Sequence, residues 1–98
     1  MRYFFFDVET FAIEPALLAP PIVVMSYAWD DGPVRIQHAN PACADPSLPS
    51  MEDTLMEAML PGTVWVAHNA AFEVVVTMAH RPEWTSMLFG KLRRGEIR

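Results

Sequence analysis

Cysteine is nearly absent from this 98-residue chain. The single Cys43 lies between Pro41 and Pro46, so no internal disulfide can form, and one thiol cannot build a zinc site alone. A reducing, cytoplasmic setting is the expectation. Long hydrophobic runs are lacking too. The Phe4 to Phe6 stretch is interrupted at once by Asp7 and Glu9, and nothing approaches the roughly 18 apolar residues needed to cross a bilayer. A soluble chain without a signal peptide or membrane partner is therefore expected. Basic residues are scarce in the front of the sequence. Through His80 only Arg2 and Arg35 stand against ten acids, whereas from Arg81 onward Arg81, Lys91, Arg93, Arg94 and Arg98 face only Glu83 and Glu96. The formal charge of −5 argues against binding nucleic acid over the whole surface by counterion release, which needs clustered Lys and Arg. An acidic front half that uses cations fits this distribution, and so does an ordinary acidic domain with a basic tail.

What is present is the composition of a globular chain, 52% hydrophobic and 19% charged, with room for one compact domain. Arg2 to Val8 reads as an aromatic strand ending near Glu9, because the proline-rich connection from Glu14 to Pro21 continues neither a helix nor a central strand. Ile22 to Trp29 is apolar and β-branched enough for a buried strand. Asp30-Asp31-Gly32-Pro33 is turn chemistry leading into the alternating Val34, Ile36, His38, so the two runs form a hairpin. Asn40 to Pro49 reads as a surface loop. Ser50 offers an N-cap to a short amphipathic helix from Met51 to Leu60, which Pro61-Gly62 stops. Thr63 to Ala67 is continuously apolar, as in a strand covered on both faces, and belongs in parallel beside the first strand. Asn69 or His68 then opens a helix ending near Arg81-Pro82, and Trp84 to Leu92 forms a last short helix stopped by Gly95.

Side chains at i and i+2 of a strand share a face, so Tyr3, Phe5, Asp7 and Glu9 point one way and Phe4, Phe6 and Val8 the other. Two acids are thereby set side by side. Partly shielded from water they repel unless one takes a proton or a cation sits between them. Hard cations such as Mg²⁺ and Mn²⁺ favour oxygen ligands, and two of them about 3.5–4 Å apart activate a water and stabilise the leaving oxygen of a phosphodiester. Glu73 falls on the first turn of the helix after the fourth strand. There it is a second acid for such a site or a carboxylate answering the helix dipole.

Phe6-Asp7-Val8-Glu9-Thr10 and Val66-Ala67-His68-Asn69-Ala70-Ala71-Phe72-Glu73 together resemble the first two exonuclease motifs of the DEDD superfamily. The likeness is to the 3'-5' exonuclease domains of phage family A DNA polymerases, and the hairpin from Tyr27 to Val34 is similar to theirs as well. This resemblance implies an α/β, ribonuclease H-like exonuclease fold, truncated, with a mixed sheet of three antiparallel strands and a parallel fourth. Residues 1–98 would be the N-terminal part of a single such domain, intracellular and phage-encoded. It further implies a two-metal Mg²⁺ or Mn²⁺ site with Asp7, Glu9 and Glu73 as catalytic, metal-binding carboxylates. Thr10, Asn69 and Phe72 would stand on the substrate side, and His68 would be structural. The substrate would be the 3' end of single-stranded DNA, and the remainder of a polymerase would be the protein partner. The family's third motif, a Tyr or His base with a final Asp ligand, has no match in these 98 residues. A degenerate module that binds nucleic acid or a protein without cutting is the alternative.

Overall fold

The computed structural model describes residues 1–11 and 21–98, so most of the expected proline-rich connection lies outside the described residues. Four strands form one sheet: β1 (Arg2–Thr10), β2 (Ile22–Trp29), β3 (Arg35–His38) and β4 (Thr63–Val66), in the order β3-β2-β1-β4. β1 pairs antiparallel with β2, β2 antiparallel with β3, and β1 parallel with β4, which is the expected mixed arrangement. Among the described residues three helices accompany the sheet: α1 (Met51–Ala58), α2 (Ala70–His80) and α3 (Thr85–Arg93). A 3-10 turn over Pro82–Trp84 precedes α3, because Pro82 suits the first position of a new turn but cannot continue α2.

The alternation of β1 decides the layering. Phe4, Phe6 and Val8 are buried while Phe5, Asp7 and Glu9 are exposed, so one sheet face meets the helices and the other stays open. On the covered face Phe4 sits at the centre of an aromatic cluster, with ring centroids 5.1 Å from Phe6, 4.8 Å from Trp29 and 6.1 Å from Trp65. Burying one such side chain contributes roughly 2–3 kcal/mol, and each favourable ring pair adds about 0.5–1.5 kcal/mol. Met51, Leu55 and Ala58 of α1 and Leu88 of α3 close the same core.

Local signals end the elements where the sequence leads one to expect. The Ser50 hydroxyl accepts from the Asp53 N–H at 3.1 Å, and α1 stops short of Pro61-Gly62, with Gly62 in the left-handed region at φ 88°. Trp65 Nε1 donates to the carbonyl of Ala58 at 2.7 Å, satisfying one of the open acceptors at the end of α1. At the hairpin Asp30 takes φ 49°, and its carboxylate accepts from the Tyr3 N–H at 2.8 Å. Asp tolerates that backbone better than most residues.

Three features go beyond the sequence reading. Lys91, counted there among the residues of the basic tail, has a side chain 0% exposed. Its ammonium donates to the carbonyls of Leu60, at 3.1 Å, and Thr63, and lies 3.5 Å from Glu96 Oε1. The apolar packing of α3 against the corner between α1 and β4 carries this residue inside, where the carbonyls replace its water shell. The last residues also extend the sheet: Trp65 N–H donates to the Glu96 carbonyl at 2.7 Å, Arg98 N–H to Trp65 at 2.8 Å and Ala67 N–H to Arg98 at 3.1 Å. Ile97 thus makes a parallel bridge to Trp65 on the outer edge of β4. Third, the proline-bearing loop after β3 is tied inward by the fully buried Gln37. Its amide donates to the carbonyls of Asp45 and Pro49 and accepts from the N–H groups of Asp45 and His38, at 2.8–3.2 Å.

Candidate metal-carboxylate site

Asp7 and Glu9 stand on the open face near the end of β1. β4 runs parallel to β1, so both strands deliver their ends to the same side of the sheet, where binding crevices of α/β sheets are found. The register shifts between Glu9 and Thr10, and a bulge of that kind re-aims the side chains beside it. From the end of β4 the chain passes through Ala67, His68 and Asn69 into α2. The Asn69 side chain accepts from the Phe72 N–H at 3.3 Å and the Asn69 carbonyl accepts from the Glu73 N–H at 3.0 Å, so this cap determines where the first turn of α2 lies.

That turn carries Glu73 inward. Its side chain is only 2% exposed, and its Oε2 is fully buried without a hydrogen-bond partner among the described residues. Burial, first, raises the Glu73 pKa from its ordinary value to about 7; the Asp7 charge and a side-chain contact with Asp7 add to the rise, the Val8 N–H opposes it, and the Glu9 charge adds a last, smaller push. Glu73 therefore lies against Asp7 and the backbone of Val8, with Glu9 acting from farther away. Two acids in contact in a partly dry site are stable together only with a proton or a cation between them.

The donor set is all oxygen, and one oxygen is buried and unpartnered. Asp7 and Glu73 thus fit a hard divalent cation. Among the described residues, no three His, Cys, Asp or Glu side chains come close enough as placed to hold a metal ion. Asp7 and Glu73 are brought together, while Glu9 extends the acidic strip along the open face.

The other expected site residues fall nearby. Thr10 is half-buried at the bulge, and Phe72 is half-buried and packs against the core, beneath the turn. Asn69 spends its side-chain oxygen on the cap. His68, read from the sequence as structural, is exposed, and with Asp7, Phe5, Ser26, Val34 and Val66 it lines an open groove of about 410 Å³. The sequence signal for it was its place directly after an apolar strand, where side chains emerge at the sheet's end. Comparison with family models, with curated proteins and with solved structures finds no match for the chain.

Proposed function

We propose that the chain is a metal-dependent phosphodiester hydrolase module of the 3'-5' exonuclease kind, acting on single-stranded DNA. The observation that carries this reading is the contact between Asp7 and Glu73, which brings two acids 66 positions apart in sequence together at the end of two parallel strands. A buried carboxyl with an unpartnered oxygen is costly unless something occupies it, by about 1–3 kcal/mol for an unmade hydrogen bond. Retaining such a group on the same spot as a second acid is what ligation of Mg²⁺ or Mn²⁺ requires.

Asp7 and Glu73 would hold the first cation, and Glu9 the outer side of a second. The bound ions supply an activated water and charge stabilisation for the leaving oxygen. The residues themselves do the placing: the Asn69 cap sets the turn that presents Glu73, the bulge at Thr10 aims Glu9, and the groove between Phe5, Val34 and His68 leaves room for a nucleotide beside Asp7. Three carboxylates bring −3 against the +4 of two divalent ions, so the second ion would lean on substrate phosphate and water for its shell. It binds weakly. No Tyr or His base of the third-motif kind is present in the chain, a contribution about 10²–10⁴-fold in rate.

The test uses a 3'-labelled and a 5'-labelled single-stranded oligonucleotide with Mn²⁺, Mg²⁺ or EDTA, comparing the chain with Asp7→Asn and Glu73→Gln. Expected is slow release of mononucleotides from the 3' end, dependent on the cation and lost in Asp7→Asn. Cleavage that persists in EDTA or in Asp7→Asn overturns the reading. The spacing of the acids, short of a three-ligand cluster among the described residues, favours one second reading, a module that binds without cutting. Mn²⁺ binding that depends on Asp7 with no cleavage at any cation concentration would select it.

A further inference from the structure

A second groove lies toward the other end of the parallel strands and shares no lining residue with the carboxylate site. It is a cleft of about 370 Å³ between the end of α1 and α3. Met56, Met59 and Leu60 form one wall and Met87 the other. Met56, Leu60 and Met87 are 43%, 57% and 37% exposed, although the neighbouring Leu55 and Leu88 are fully buried in the core. Three large apolar side chains therefore meet solvent around one concavity, where scattered single exposures would have needed no explanation.

The floor is Gly90. A glycine inside a helix costs about 1 kcal/mol relative to alanine. Here a Cβ would meet Arg94 Nη1 at 3.1 Å, so the glycine lets the Arg94 side chain lie back along α3 to its 3.0 Å contact with Glu96. The residue after Gly90, the buried Lys91, pins α3 to the carbonyls of Leu60 and Thr63. The two walls are thus tied to each other through the Leu60 carbonyl, and the cleft is preformed, which lowers the ordering cost of binding.

Charge gives the occupant its chemistry. The chain as a whole is acidic, yet Arg93 and Arg94 stand at the rim, and Arg93 makes no ion pair among the described residues. Among the described residues no aromatic ring lines the cleft, so a nucleobase would find no stacking surface there. Methionine walls suit side chains of varied shape, since the thioether chain is unbranched and polarisable. We propose that this groove docks an amphipathic helical segment of a partner protein. Its apolar anchors at helical spacing enter between Met56, Leu60 and Met87, and its acidic residues face Arg93 and Arg94.

The test measures fluorescence anisotropy of labelled peptides about 16 residues long, enough for a helix to form on binding. One peptide carries Leu at i, i+3, i+4 and i+7 with Glu elsewhere. A second replaces each Glu by Lys, and a third scrambles the first. The Glu peptide is expected to bind the 98-residue chain at least ~10-fold more tightly than either control, and to lose ~10-fold or more with Met56→Gln or Arg93→Gln. Both substitutions are at exposed positions, and circular dichroism verifies that the variants fold. Equal binding of the Lys or scrambled peptide, or Glu-peptide binding that both variants leave unchanged, overturns the proposal. So does competition by a single-stranded oligonucleotide, which would make the rim a phosphate contact. Concentration-dependent self-association that the same variants abolish would overturn it in favour of a second copy of the chain.

Discussion

Glu73 is buried against Asp7 although the two belong to different elements, one to the first turn of α2 and the other to the exposed face of β1. The contact has a consequence for stability. A carboxyl whose folded pKa is raised from its ordinary value to about 7 binds its proton more tightly folded than unfolded. Its contribution to stability is fully present below the ordinary carboxylate pKa and is lost as pH rises through about 7. The metal-free chain should therefore lose about 3 kcal/mol between pH 4.5 and pH 8 from this group. Glu73→Gln should remove that dependence and be the more stable protein at pH 8 in EDTA. Urea unfolding of both at pH 5 and pH 8 decides it, and equal slopes with pH would falsify the assignment.

The cap at Asn69 is the second lever on the same site. Asn69→Ala leaves the Phe72 N–H without its acceptor and should cost about 1 kcal/mol, whereas Asn69→Asp should stay within a few tenths. Because the cap sets the turn bearing Glu73, Mn²⁺ affinity should fall in the Ala variant and hold in the Asp variant. Thermal unfolding and paramagnetic broadening by Mn²⁺ measure the two effects separately.

Gln37 holds the loop from Ala39 to Pro49 by three hydrogen bonds in a fully buried position, to the Asp45 N–H and to the carbonyls of Asp45 and Pro49. Gln37→Leu conserves most of the volume but strands the Asp45 N–H and the Pro49 carbonyl, for a loss of about 2–3 kcal/mol. Hydrogen exchange at Asp45 should accelerate far more than at residues of β1. Protection at Asp45 unchanged from the parent chain would show that the loop is held by something else.

Lys91→Met tests the buried ammonium. Burial, above all, pushes Lys91 below the ordinary lysine value, and Arg94 pushes the same way while Glu96 holds it up. Removing the ammonium relieves that burial but leaves the Leu60 and Thr63 carbonyls without a donor and Glu96 without one of its cations. Breaking one side of a buried polar cluster typically costs about 3–5 kcal/mol, and the low end is expected because Arg94 and the Gly62 N–H still serve Glu96. The amides of Trp65 and Ala67, which bond to the Glu96–Arg98 segment, should lose protection first. A variant as stable as the parent, with those two amides unchanged, would contradict this account.

The strands and caps were legible in the sequence because their causes are local. Alternation along Arg2–Val8 separates Phe4, Phe6 and Val8 from Asp7 and Glu9 by the pleat alone, and the structure has that division residue by residue. Ser50 and Asn69 act within three residues of themselves, and Pro61-Gly62 and Arg81-Pro82 interrupt helices through their own backbone geometry. The expected ends differ from the observed ones by a residue or two, as at α1, which closes at Ala58. What the chain could not announce is anything decided by segments far apart. The burial of Glu73, the desolvation of Lys91, the capture of Gln37 by a loop eight to twelve residues on, and the pairing of Ile97 with Trp65 all require the layers to be assembled. Each is a polar group or edge that looks solvent-facing by composition and is drawn inside by the apolar packing of its neighbours. The sequence alone determined where acids stand on β1 and α2. Only the tertiary structure decided that one of them loses its water beside the other, since desolvation and charge repulsion depend on distance in space and not along the chain.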